Sequence, residues 1–175
     1  MKRALLFFLL AAPAFAQNTP TDIAMTPACG PDNFKFAVKT GKTQRTSIQP
    51  DEGKALVILV EDDSEFGSHP KPTTRMGLDG NWIGATHGNS YFSLSIDPGV
   101  HHLCASWQTS AILGQGHKTA VAHFTAQAGG VYYFRVKNTF AHDVGTAVIS
   151  LKPLDSDEGL LLTSSYSLNT FHPQK

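Results

Sequence analysis

The stretch Ser90 to Gln108, SYFSLSIDPGVHHLCASWQ, constrains this chain most, because it reads as two extended segments around a tight turn. Phe92, Leu94 and Ile96 recur at period two, which puts them on one face of a strand, with Ser93 and Ser95 on the other. Asp97-Pro98-Gly99 reverses the chain: proline presets φ at the first turn position and glycine accepts a positive φ. The return strand carries Leu103, Ala105 and Trp107 on one side and His102, Cys104 and Ser106 on the other. The stretch therefore predicts a β-hairpin around which an all-β domain is organised.

The rest of the chain supplies matching pieces. Phe34, Phe36 and Val38 alternate from Asn33 onward, and Lys54 to Glu61, KALVILVE, is an unbroken apolar run of strand length. Such a run fits a central strand covered on both faces. Asp79-Gly80 between short strand-like runs signals a two-residue hairpin. Ala120 to Ala126 alternates again. After Gly129-Gly130, Tyr132, Phe134 and Val136 share one face while Tyr133, Arg135 and Lys137 share the other. A final strand is expected over Thr146 to Leu151. Asp155 with Glu158 three residues on forms a capping-box pattern before Leu160, Leu161 and Leu162, so a short C-terminal helix follows, weakened by Gly159. About eight or nine short strands with turns between them predict an antiparallel β-sandwich of immunoglobulin-like or PEGA-like type. The C-terminal helix or tail would cover an open edge.

Met1 to Ala16 has a basic start, an apolar run and a small-residue end at Ala14-Phe15-Ala16, the pattern of a cleaved secretory signal peptide. Its apolar run is far shorter than the roughly 20 residues of a membrane helix, so no integral membrane segment is expected in the mature chain. Residues 17–32 read as a flexible leader, and residues 33–175 as a single domain. Removing the signal takes away two of the 14 basic residues and none of the 14 acidic ones, leaving a net charge of −2. That excludes the basic footprint of a nucleic-acid binder. The expected location is the periplasm or the cell exterior. In such an oxidising compartment Cys29 and Cys104, the only cysteines, most simply pair, against the alternatives of a buried free thiol or a redox centre. The absence of C-x-x-C speaks against the redox alternative.

Several of these pieces, namely Ala55 to Val60, Pro98-Gly99-Val100-His101-His102-Leu103, Tyr132-Tyr133-Phe134 after Gly130, and the Asp-Glu-rich turn before Leu160, occur in an order that resembles the bacterial family called domain of unknown function 2846. The resemblance spans roughly Gly53 to Ser164. It implies a secreted or lipid-anchored sandwich protein, and it carries no catalytic residue with it. A lipobox cysteine, which the lipid-anchored members have, is missing here.

Catalytic templates find no match. There is no G-x-S-x-G, and Gly114-Gln115-Gly116-His117-Lys118 lacks the strand-to-helix context of a phosphate loop. The acidic residues gather in Glu61 to Glu65 and Asp155 to Glu158, which read as solvated loops or a helix start rather than facing carboxylates. The second group is similar in outline to a calcium loop but has Tyr166 where a bidentate glutamate belongs. His101 and His102 point to opposite faces of a strand, so a metal site would need His117 or His123 as well. Trp82, Tyr91, Trp107 and Tyr133 fill a core or form an aromatic platform, with Arg135 and Lys137 as surface candidates. No catalytic, cofactor or metal residue is assigned. The reading is a secreted, non-catalytic module that binds a protein or cell-envelope partner. Its rivals are a small periplasmic hydrolase or metal-dependent enzyme with a His/Asp loop site, and a carbohydrate-binding module. The loops Asp62 to Thr73 and Thr109 to His117 are the first places to look for function.

Overall fold

The computed structural model describes residues 27–41, 49–108, 116–141 and 145–174. The expected signal peptide, the leader up to Thr26 and most of the Thr109 to His117 loop lie outside them. The described residues form β1 (Phe36–Thr40), β2 (Ala55–Glu65), β3 (Thr73–Leu78), β4 (Asn81–His87), β5 (Ser90–Ile96) and β6 (Gly99–Trp107). They continue with β7 (Thr119–Ala126), β8 (Val131–Ala141), β9 (Thr146–Leu154), α1 (Ser156–Ser165) and β10 (Ser167–Pro173). One sheet has the order β1-β10-β5-β2-β8-β9 and the other β4-β3-β6-β7, so the chain is an all-β sandwich. Two pairings, β2 with β8 and β10 with β5, are parallel, and the rest are antiparallel.

The apolar run in β2 is covered on both sides, as its composition predicts. Ala55, Val57 and Leu59 face the second sheet and pack with Met76, Leu103, Ala105, Phe134 and Val136. Leu56, Ile58 and Val60 face outward into a second cluster with Tyr91 and Tyr133, roofed by Leu154, Leu162, Tyr166 and Leu168. Each such side chain contributes roughly 1.5–3 kcal/mol of transfer free energy. The roof is α1. Asp155 caps it by accepting a hydrogen bond from the Glu158 amide (2.9 Å), while the Glu158 carboxylate pairs with Arg135 instead of closing a capping box. Gly159 has a packing role: a Cβ there would lie 2.3 Å from Tyr133 Cγ. The residue that weakens the helix by propensity is what lets it sit on the sheet.

The stretch Ser90 to Gln108 does not form a hairpin. β5 pairs with β2 and β10, whereas β6 pairs with β3 and β7, so Asp97-Pro98 carries the chain from one sheet to the other. Period-two patterning identifies the buried face of each strand but is the same whether the partner lies across the turn or across the core. The Asp79-Gly80 hairpin between β3 and β4 forms as expected, with φ of 50° and 81° at its two central residues. The first strand begins at Phe36 rather than near Asn33, and the polar tail after α1 is itself a strand, β10, inserted between β1 and β5.

Cys29 and Cys104 are disulfide-bonded, with Cα atoms 5.2 Å apart. The bridge ties Pro27 to Phe34 over the outer face of β3 and β4. Pro31 accepts from the Trp82 indole (2.7 Å), Asp32 and Phe34 carbonyls accept from Arg75 (2.9 and 2.7 Å), and the Arg75 guanidinium lies 4.2 Å over the Trp82 ring. The part of the expected leader that is described, residues 27–32, is thus tethered to the sheet.

Gly159→Ala is expected to destabilise the protein by about 1–3 kcal/mol through overpacking against Tyr133, although alanine favours an isolated helix by about 1 kcal/mol. Denaturant unfolding checks the sign, and a gain in stability would mean that α1 is not seated on Tyr133.

Candidate functional site

One end of the sandwich gathers the ends of β2, β4, β6 and β8 and the starts of β3, β5, β7 and β9. This follows from the registers Glu61↔Ser90, Thr73↔His87, Thr74↔Trp107, Ser106↔Thr119 and Ala141↔Thr146. The expected Asp62 to Thr73 loop is shorter than its sequence suggests, because β2 runs to Glu65 and only Phe66 to Pro72 connects it to β3; this connection and the one from β6 to β7 leave the sandwich at the same end.

Beneath this end lies the main departure from the sequence reading. Glu61 to Glu65 is no solvated loop: β2 continues through it, paired with β5 as far as Glu61 and with β8 at Asp62 and, past an irregularity, at Glu65, and Glu61 and Asp63 are only 0% and 1% exposed. Strand parity carries these two side chains inward, on the face of Val57 and Leu59, and sends Asp62 to the helix side. Asp62 Oδ1 there accepts from the Ser64 amide (3.1 Å), the Ser64 hydroxyl (2.6 Å) and the Tyr166 hydroxyl (3.1 Å). These bonds hold the Asp62 carboxyl below its ordinary value against the opposing effect of burial, while burial beside Asp62 pushes Tyr166 up to about 12.

On the inner side the Trp107 indole donates to Asn138 Oδ1 (2.9 Å), which fixes the orientation of that amide. Asn138 Nδ2 then donates to both carboxyls, to Glu61 Oε1 (2.8 Å) and Asp63 Oδ1 (2.7 Å). Glu61 Oε1 also accepts from Thr74 Oγ1 (2.5 Å), with the Thr86 hydroxyl beside the same carboxyl, and the Asp63 amide donates to Asn89 Oδ1 (2.8 Å). Glu61 Oε2 and Asp63 Oδ2 have no hydrogen-bond partner among the described residues. Burial, reinforced by the charge of Asp63, raises the Glu61 carboxyl well above its usual range. Burial raises Asp63 to about 6 despite the opposing Asn138 amide, Lys71 and His87. Such a pair holds a proton near neutrality, which lowers the penalty for burying two acids. At these exposures no solute reaches either carboxyl, so the pair braces the end of the sandwich.

The other expected candidates separate. His101 does meet a carboxylate, with Nδ1 2.7 Å from Asp79 Oδ2, but its Nε2 is 2.8 Å from the Asp97 carbonyl. Both nitrogens are committed to tying two turns together. His117 Nδ1 contacts the Trp107 carbonyl (2.9 Å), at the opposite end of β6 from His101 and His102. His102 lies opposite His123 across β6 and β7. Among the described residues no group of three or more histidine, cysteine or acidic side chains could hold a metal ion. Trp107, Tyr91 and Tyr133 are buried and Trp82 lies beneath Arg75, so the four do not form an exposed platform. Arg135 and Lys137 pair with Glu158 and Glu65. Asp155 to Glu158 is the start of α1.

Comparison with family models, with curated proteins and with solved structures finds no match to this chain. Among the described residues no helix is long and apolar enough to cross a membrane.

The raised carboxyls make stability depend on pH in a defined direction. The folded state binds the Asp63 proton more tightly than the unfolded state, so stability is fully present below the unfolded value of 3.8 and is lost as pH rises through about 6. Glu61 acts in the same sense. Denaturant unfolding is expected to show a protein more stable at pH 5 than at pH 7, with Asp63 alone contributing on the order of 1 kcal/mol. Glu61→Gln with Asp63→Asn should flatten this difference, and a protein less stable at pH 5 would contradict the assignment.

Proposed function

We propose that this protein is a secreted, non-catalytic β-sandwich module that binds a protein or cell-envelope partner through the outer face of β6 and β7. One observation carries the reading. The disulfide-tethered segment covers the β3 and β4 half of that sheet, while on the other half Val100 and Val121 are each 64% exposed, on the strand pair that ends at the β7 edge. Apolar side chains on a sheet face that no described segment covers, beside a strand at the edge of its sheet, are features on which partner chains dock. The disulfide and the signal-like start at Met1 to Ala16 support an oxidising destination. The resemblance to domain of unknown function 2846 is part of the same proposal. The enzymatic alternative would draw on the pairing of His101 with Asp79, and both ring nitrogens of that histidine already serve the fold.

The test compares capture from envelope extracts by the wild-type protein and by Val100→Glu with Val121→Glu. Both positions face outward, so the variant should fold and keep its disulfide. A protein recovered with the wild type and lost with the variant is the expected outcome. Recovery of the same proteins by both, or of none by either, would contradict the proposal.

A further inference from the structure

The sequence sets His101 and His102 apart by strand parity, and the fold supplies His102 with a different neighbour. In the antiparallel pairing of β6 with β7, His102 stands directly opposite His123. Both lie on the outer face, with Val100 and Val121, because Leu103, Ala105, Ala122 and Phe124 take the inner one. Directly opposed residues of an antiparallel pair have Cβ atoms about 4.5–5.5 Å apart. Here the two imidazoles face each other with ring centroids 6.4 Å apart and planes inclined at 38°. His102 is half-buried and His123 exposed, and among the described residues neither ring makes a hydrogen bond. His87, His101 and His117, by contrast, each have a ring nitrogen engaged with a backbone carbonyl.

We propose that His102 and His123 form a two-imidazole binding site for a divalent transition-metal ion, Cu2+ or Zn2+, on the outer face of β6 and β7. With metal–nitrogen bonds of about 2.0–2.1 Å, two imidazoles on one ion have ring centres roughly 4.5–5.2 Å apart in a cis or tetrahedral arrangement and about 6.4 Å apart in a trans one. The observed 6.4 Å lies at the trans limit, and side-chain rotation that brings the rings about 1 Å closer gives the tetrahedral spacing. The backbone is already in place. The β6 and β7 ladder runs on both sides of the pair, and Cys104, two residues beyond His102, is bonded to Cys29. Neutral imidazole nitrogen suits copper and zinc, and among divalent first-row ions Cu2+ binds such donors most tightly. Among the described residues the site has two protein donors, so water fills the remaining positions. A centre with open positions suits reversible uptake or donation to a partner rather than a structural role. The site stands on register and ring geometry and is independent of the binding-module reading.

The experiment titrates Cu2+, and separately Zn2+, into the full mature protein carrying no histidine tag, with calorimetry for both ions and electron paramagnetic resonance for copper. Saturable binding of one ion per chain is expected, with the copper spectrum showing two imidazole nitrogens. His123→Asn alone and His102→Asn alone should each weaken binding by roughly a hundredfold, since removing either donor abolishes chelation. His172→Asn, on β10, should leave it unchanged. His123 is exposed, so its variant keeps the test valid even if His102→Asn disturbs β6. Absence of saturable binding would overturn the proposal. So would copper binding that persists unchanged in both the His102→Asn and His123→Asn variants, which would place the ion on other groups.

Discussion

The structure depends first on β2 being buried on both faces. A strand with five consecutive buried aliphatic residues from Leu56 to Val60 cannot lie in a sheet with one side in water. Its inner face calls for the second sheet, which supplies Met76, Leu103 and Ala105, and its outer face calls for a roof, which α1 and its flanks supply through Leu154, Leu162, Tyr166 and Leu168. The close seat of that roof in turn needs Gly159 over the Tyr133 ring. Order at the C-terminal helix is thus a consequence of the composition of a strand a hundred residues upstream.

The same strand explains the acidic core. β5 pairs β2 as far as Glu61 and β8 as far as Asp62, and strand parity turns Glu61 and Asp63 into the interior. What accommodates them is a chain of oriented dipoles, from the Trp107 indole to the Asn138 amide to two carboxyls that can hold a proton. At the opposite end of the sandwich a different polar device performs a similar bracing task. His101 joins Asp79 and the Asp97 carbonyl, linking the β3–β4 hairpin to the turn that crosses between sheets. The acidic and histidine side chains that suggest catalysis by composition are hydrogen-bonded into the two ends of the fold.

Much of this was legible in the sequence. The run KALVILVE announces a strand covered on both faces, Asp79-Gly80 a tight hairpin, and alternation assigns Trp107, Tyr132 and Phe134 to their observed sides. The pairing of Cys29 with Cys104 was the simplest expectation for the only two cysteines of a chain read as entering an oxidising compartment. Strand partners were not legible. Nothing in Ser90 to Gln108 distinguishes a hairpin from a crossing between sheets, because both demand the same alternation and the same turn residues. Glu61 to Glu65 misleads because charge reads as exposure. The countersignal was the absence of any glycine or proline between Lys54 and Gly67, which leaves the strand no reason to stop. β10 has a mostly polar composition and is ordered by its neighbours β1 and β5 rather than by its own pattern. The facing of His102 and His123 depends on register between β6 and β7, which no single strand encodes.

The most direct test of the account is residue-resolved native-state hydrogen exchange across β2 and α1. If β2 is the doubly covered centre, the amides of Val57 to Val60 should exchange only through global unfolding, with the same free energy as denaturant unfolding, and those of α1 over Leu162 and Thr163 should be protected nearly as well. Exchange of β2 through a local opening far below the global value, with α1 released at the same low free energy, would contradict it.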